Sequence, residues 1–351
     1  MAEERKEGSL ISAPSLNAPV SNQSGAKILP SLGVILVTGG LFLIGWFLYL
    51  WFKPLPPPYT YQLVEEGVAA KFSNLQLEAW PDLTISKYEL HVPSLDKPVA
   101  VAYRANDPTG APILLSLENL VSEPVGAMSV NLSELIPLAT DISKHVPKEA
   151  VILGWWDTSR QLKLLSGRDT LFTSYLGKPL IVPSYWKDRS ELIERYERQF
   201  WGARESPEEQ RKFEIFADAL SSDPSKGVEM LRELVGSREA YVIVHPADLY
   251  KAALMRPDRI DIAFKDFPLT GNVHGLAGQV KAWMKENGYN TYTLQSLSET
   301  SVRAYFLNES QTGKVLLAHM LPLMNSTPIE FQALQVVHKQ GGYWVFKIPS
   351  A

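Results

Sequence analysis

The sequence predicts an α/β protein: a single N-terminal transmembrane helix, then a mixed α/β soluble body whose C-terminal part is largely antiparallel. Three observations predict it. An uncharged apolar run fills Leu32 to Phe52, two apolar segments near Val151 and Tyr241 are separated by a series of helical patterns, and alternating segments dominate after Asp258.

At 351 residues with 45% hydrophobic content, the chain carries enough apolar surface to bury at least one core. A net charge of −4 provides no basic field to neutralise phosphates, so nucleic acid is not an expected partner. There is no cysteine. Structural disulfides, thiolate metal sites, iron–sulfur clusters and covalent c-type haem all need that sulfur and are excluded. No cofactor is expected.

Residues 1–30 are rich in Ser, Pro, Ala, Asn and Gly, show no helical or strand period, and read as a disordered tail. Leu32 to Phe52 is 21 residues without a charge. At 1.5 Å per residue it matches a hydrocarbon core of about 30 Å. Trp46, Tyr49 and Trp51 are ring types that settle at a membrane–water interface. Lys53 and a proline cluster follow where a signal peptide would need a cleavage site, so a retained anchor is expected. Lys27 before the span and Lys53 behind it give a weak charge asymmetry. The expected arrangement is a cytoplasmic N-terminus in a bacterial inner membrane and a body in the periplasm. Residues 53–60 form a proline-rich spacer, stiff because consecutive prolines favour an extended helix, and 61–351 one soluble domain.

Within the body, "KPVAVAYR" reads as a strand, and Leu135, Leu138, Ile142 and Val146 recur at helical spacing before the buried strand "AVILGWW". "DRSELIERYERQFWG" is a helix with Leu192, Tyr196 and Phe200 on one face, stopping at Gly202. "SPEEQRKFEIFADAL" follows, with Ser206 as N-cap, Pro207 at the first position and Glu209 closing a capping box. "KGVEMLRELVGS" then leads into the strand "YVIVH". Two apolar strands joined by helices predict a parallel pair covered on both faces. Beyond Asp258 come the strand "DRIDIAF", the helix "HGLAGQVKAWMKENG", the strands "SVRAYFLN" and "KVLLAHML", and a hairpin turning at Gly341 and Gly342.

The candidate site starts where "VILGWWDTSRQ" runs from an apolar strand through Trp155 and Trp156 onto Asp157. Strand ends in open α/β sheets are where ligands collect, and Asp157, Arg160 and Arg168 could form a polar cluster there. The plainer reading has Asp157 capping the next helix, Arg168 pairing with it and the tryptophans filling core. The six histidines, at 91, 145, 245, 274, 319 and 338, show no paired metal spacing. His245 at a strand end near Asp248 reads as a cap, and His274 among glycines as a turn before a helix. Asn22, Asn131, Asn308 and Asn325 head Asn-x-Ser/Thr triplets.

"PKEAVILGWWDTSRQLKLLSGRDT" and "FADALSSDPSKGVEMLRELVGSREAYVIVHPAD" resemble, over about residues 131–250, the soluble domain of oligosaccharyltransferase-type membrane glycosyltransferases. Trp155, Trp156 and Asp157 match that family's Trp-Trp-Asp-Tyr-Gly motif, while Thr158 and Ser159 replace its Tyr-Gly pair. The single span carries no charge, whereas those enzymes keep metal-binding acids in a many-helix membrane domain. Over its full layout the chain resembles the hydroxylamine oxidation protein HaoB family, chiefly through "GWWDTSRQLKLLSGRDT" and "YVIVHP". That resemblance implies an accessory role beside a multihaem hydroxylamine oxidoreductase or an associated cytochrome, and no catalytic residues. Trp155, Trp156, Asp157, Arg160 and Arg168 are then expected to bind a protein partner. The alternative is a saccharide- or peptide-binding protein or enzyme, related to the soluble domain of membrane glycosyltransferases, in which exposed tryptophan stacks on the ligand.

Overall fold

The computed structural model describes residues 28–52, 56–107, 109–128, 132–202, 206–269, 273–324 and 334–349. Residues 1–27 of the expected tail, the first spacer residues 53–55, Gly271, the His274 side chain and the asparagines at 22, 131 and 325 lie outside them, while the last three expected tail residues, 28–30, are the first residues of a helix. The chain divides into two compact units, Met1–Pro56 and Pro57–Ala351.

In the first unit, helix α1 (Ile28–Phe52) is long and apolar enough to cross a membrane, with mean hydropathy 2.1 over Ser31–Phe52 and none of its most apolar window buried. Apolar residues cover all its sides, the pattern of a helix meant for an apolar solvent.

The second unit opens on an antiparallel meander of β1 (Thr60–Val68), β2 (Thr84–His91), β3 (Ala100–Asn106) and β4 (Pro112–Asn119). Next come α2 (Leu132–His145), β5 (Val151–Leu153), α3 (Trp156–Ser166), β6 (Asp169–Thr170), α4 (Ser190–Phe200), α5 (Pro207–Leu220), α6 (Pro224–Val235), β7 (Ala240–Val244) and α7 (Pro246–Met255). The chain continues through β8 (Ile262–Pro268), α8 (Val273–Glu286), β9 (Thr291–Ser298), β10 (Ser301–Leu307), α9 (Glu309–Thr312), α10 (Leu316–Met320), β11 (Gln335–Gln340) and β12 (Tyr343–Ile348).

The central sheet has the order β11-β12-β7-β5-β6, with β7, β5 and β6 parallel and the β11–β12 hairpin antiparallel along β7. Its inner strands β5 and β7 are apolar throughout because both faces are covered. Ala240, Val242 and Val244 of β7 pack into a core with α5, α6 and α7, while Tyr241 and Ile243 pack into a core with α2 and α3. The remaining sheet, β8-β10-β9, is antiparallel and carries α8 through Leu276 and Val280.

Several local expectations change. "KVLLAHML" is helical as α10, with Leu316, Leu317, Ala318 and Met320 all buried against α5 and α6. A short apolar run fits a buried helix as well as a strand, and here packing decides. Ser206 makes no side-chain cap on α5. Glu209 instead takes the backbone N–H groups of Thr173 and Ser174 and the Ser174 hydroxyl, tying α5 to the loop after β6. The buried face of α4 is Ile193 and Glu197, with Leu192 only half-buried, so a carboxylate stands where the apolar stripe was expected.

Helices α5 and α6 approach through Gly227, where an added Cβ would lie 2.4 Å from the Ala219 carbonyl oxygen and 2.8 Å from a Leu316 methyl. The oxygen is backbone and cannot swing away. Gly227→Ala is therefore expected to destabilise the chain by about 1–3 kcal/mol of overpacking despite the better helix propensity of alanine. Urea denaturation would check this, and an unchanged or raised midpoint would contradict the close approach.

Candidate functional site

Parallel strands β5 and β7 end side by side, and a helix starts from each end. This brings together residues far apart in sequence. After β5 the chain passes Gly154 and Trp155 into α3, placing Asp157 in its first turn. After β7, His245 caps α7: its Nδ1 accepts from the Ala247 N–H at 3.2 Å, and Asp248 accepts from the His245 N–H at 2.9 Å. That reciprocal cap meets the capping role expected for His245.

One turn into α7, the Lys251 ammonium donates to both oxygens of Asp157, at 3.0 and 2.8 Å, and lies 3.4 Å from Asp248. Lys251 is 3% exposed, and its ammonium stands 5.7 Å from the centre of the Trp155 ring. Burial alone would pull the Lys251 pKa down, but Asp157 and Asp248 outweigh it and hold it above the ordinary lysine value. Asp248 moves up because burial exceeds what Lys251 and His245 return to it, with Asp157 adding repulsion. The two directions are compatible, since one ammonium has two carboxylates while Asp248 has a shared and more distant cation.

The network continues through α2. Glu134 accepts the Gly342 N–H at 2.9 Å and lies 3.8 Å from His245 Nε2, too far for a hydrogen bond. Burial raises the Glu134 pKa, yet His245 and the Gly342 N–H together hold it below the ordinary carboxylate value. His245 Nε2, Asp248 Oδ1 and Tyr343 Oη are sealed from solvent without a hydrogen-bond partner among the described residues.

Beside this cluster lies a cavity of about 30 Å³, bounded by Trp155, Trp156, Asp157, Tyr175, Lys251 and, at its far side, Glu197. A water needs roughly 10–15 Å³ on the same scale, so the space admits about two waters and no organic substrate. Glu197 is 3% exposed and accepts from Tyr59, from Tyr61 at 2.9 Å and from the Trp201 indole at 2.7 Å. No ion pair reaches it among the described residues. Burial raises its pKa, against the opposing pull of those three donors.

The five residues expected to bind a partner separate. Trp155 and Trp156 are 1% and 9% exposed, and both indole N–H groups donate to the Lys178 carbonyl, at 3.2 and 2.6 Å. They are core side chains, so the stacking on exposed tryptophan that underlay the saccharide or peptide alternative has no ring to use. Asp157 is neutralised by Lys251, not by Arg168. Arg168 donates to the Ser143 carbonyl at the end of α2. Arg160, 5% exposed, donates to the carbonyls of Thr173 at 3.1 Å and Pro112 at 2.7 Å and lines a separate groove. Lys251, Glu134 and Glu197 were not read as site residues. The signal for Lys251 was present: Asp248 and Lys251 stand three apart just beyond an apolar strand, on the exposed side of no amphipathic stripe.

Among the described residues no three His, Asp or Glu side chains converge as metal ligands. No curated protein matches the chain. A solved structure with a similar course is the C-terminal domain of PglB from C. jejuni, of the kind the resemblance of residues 131–250 pointed to. It is 12% identical, with 61% of this chain and 99% of that one covered at a TM-score of 0.35, too loose a superposition to carry any inference. The family model of HaoA-associated protein HaoB matches residues 25–348, nearly the whole chain. The chain therefore belongs to the HaoB family and is an accessory protein of hydroxylamine oxidation, its family name tying it to HaoA, a hydroxylamine oxidoreductase.

Proposed function

We propose that this protein acts by contact, using α1 as a retained anchor and holding HaoA, or the carrier that takes its electrons, at the periplasmic face of the inner membrane. One observation carries the reading. Where a strand-end active site would sit, the Lys251 ammonium is held by Asp157 at 2.8 Å and Asp248 at 3.4 Å, and the adjoining cavity has room for about two waters. Family membership supplies the partner class, and the apolar span supplies the means of confinement. Tethering turns a three-dimensional encounter into a local one, with an effective concentration in the millimolar range for short flexible links.

The test is fractionation of native cells in which Ser31–Phe52 is deleted or replaced by a cleavable signal. Haem absorbance of HaoA is expected to move from the membrane to the soluble fraction, and a C-terminal tag on the unaltered chain to enrich HaoA from mild detergent. If HaoA distributes identically in both strains and never enriches with the tag, the tethering reading is wrong.

A further inference from the structure

The groove lined by Arg160 is much larger than the cavity beside Lys251. It has a volume of about 540 Å³, within the range of small-ligand pockets, and its walls come from the β3–β4 turn, α3 and the loop at Thr173–Tyr175. Arg160 is almost fully buried, yet no carboxylate lies within ion-pair distance of it among the described residues. Arg303, equally buried, has Asp266 on its Nε and Nη2 at 2.6 and 2.8 Å. A buried cation without a counter-ion is costly, and an arginine held only by two backbone carbonyls is an exception that asks for a partner.

The nearest acids are already engaged. Asp107 accepts from the Thr109 N–H and hydroxyl and from the Ala111 N–H, all within 2.8 Å. Glu209 is held by Thr173 and Ser174. Arg160 uses Nε and Nη2 on carbonyls, which leaves Nη1 without a partner among the described residues. The Tyr175 hydroxyl also has none, and neither atom is sealed from solvent. Tyr175 borders the same groove as Arg160 and also the smaller cavity that Glu197 lines.

We propose that this groove is a carboxylate-binding site in which Arg160 Nη1 receives the anion and the Tyr175 hydroxyl donates the second hydrogen bond. Guanidinium and carboxylate are matched planar groups, and the burial of Arg160 strengthens the contact. The carboxylate comes from a free small acid or from a peptide chain end, which present the same chemistry. Lys163, 3.8 Å from Asp169, also lines the groove.

The experiment is isothermal titration of the detergent-solubilised full chain, at constant ionic strength, with glutarate and with a short peptide ending in a free carboxylate or in an amide. Saturable binding of glutarate, or of the peptide acid but not its amide, is expected and distinguishes the two sources. Arg160→Gln should weaken it by at least about tenfold and Tyr175→Phe by roughly 2–10-fold, the usual ratio for losing a charged and a neutral hydrogen bond. Tyr175→Phe removes one hydroxyl and keeps the test decisive if Arg160→Gln fails to fold. Absence of saturable binding by every probe, or binding unchanged in the folded variants, overturns the site. Neither outcome bears on HaoA tethering, which does not require this groove.

Discussion

Lys251→Met is expected to destabilise the chain by about 3–5 kcal/mol, because it removes the one ammonium that neutralises the buried Asp248 and the partly buried Asp157 while keeping nearly the same volume. Asp157 and Asp248 would remain, with Asp248 4% exposed at its side chain and its pKa already raised by burial. The loss is a property of the half-removed cluster. A triple substitution, Asp157→Asn, Asp248→Asn and Lys251→Met, removes all three charges together and should recover most of the stability, since a buried ionic group and its neutral replacement often differ little. Urea denaturation of the four proteins formed by Lys251→Met alone, Asp157→Asn alone, the triple and the unaltered chain separates these cases. Equal losses in Lys251→Met and in the triple would show that packing, not charge, is what Lys251 contributes. The sign with pH follows from the raised Lys251 pKa. Its stabilisation is fully present below the ordinary lysine value of about 10.4 and disappears as pH climbs through the higher folded value, so the unaltered chain should weaken relative to Lys251→Met only at strongly alkaline pH.

The parts of this fold that were legible in sequence are those where one residue pattern leaves one physical solution. "AYVIV" has no polar position on either face, so it needs helices on both sides, and α5 with α6 precedes it to supply one of them. Phe213, Phe216, Ala217 and Leu220 likewise fix the buried stripe of α5. β1 gave no such pattern because it is an edge strand with Leu63, Val64 and Val68 half-exposed, so apolar and polar residues do not alternate there. The chemistry at the strand ends was half legible. Asp157 and His245 announce themselves by position, but the ion pair joins residues 94 apart, and only the parallel register of β5 and β7 brings them together. Arg168 was the more natural partner on spacing, being eleven residues on in the same segment, yet Gly167 in a left-handed conformation ends α3 and turns Arg168 towards α2. Glu197 was hidden for a different reason: in "ELIERYERQF" it looks like one more charge on a solvated face.

Glu197 is where that misreading has its largest consequence, and Glu197→Ala is expected to cost about 3–5 kcal/mol. The substitution strips the acceptor from Tyr59, Tyr61 and Trp201 and leaves buried donors, each costing about 1–3 kcal/mol, partly offset because an ionised carboxyl no longer has to be held away from water. It also loosens β1 from α4, since both tyrosines belong to the strand region and the acid to the helix. Glu197→Gln retains one acceptor oxygen and the volume, so its loss at neutral pH should be much smaller. The pH dependence distinguishes this account from simple packing. Burial raises the folded pKa of Glu197 above the unfolded value of about 4.3, so at a pH between the two the native state holds a proton that the unfolded chain has released. That proton's stabilisation is complete below the unfolded value and is lost as pH rises through the folded one. The unaltered chain should therefore gain on Glu197→Gln as pH falls from neutral toward 4.3, while Glu134, Glu214 and Asp218, all held below their ordinary values, weaken both proteins alike and cancel in the comparison. Denaturation midpoints that stay parallel over that interval, or that move in favour of Glu197→Gln, would mean that Glu197 sits in water and not in the aromatic pocket described above.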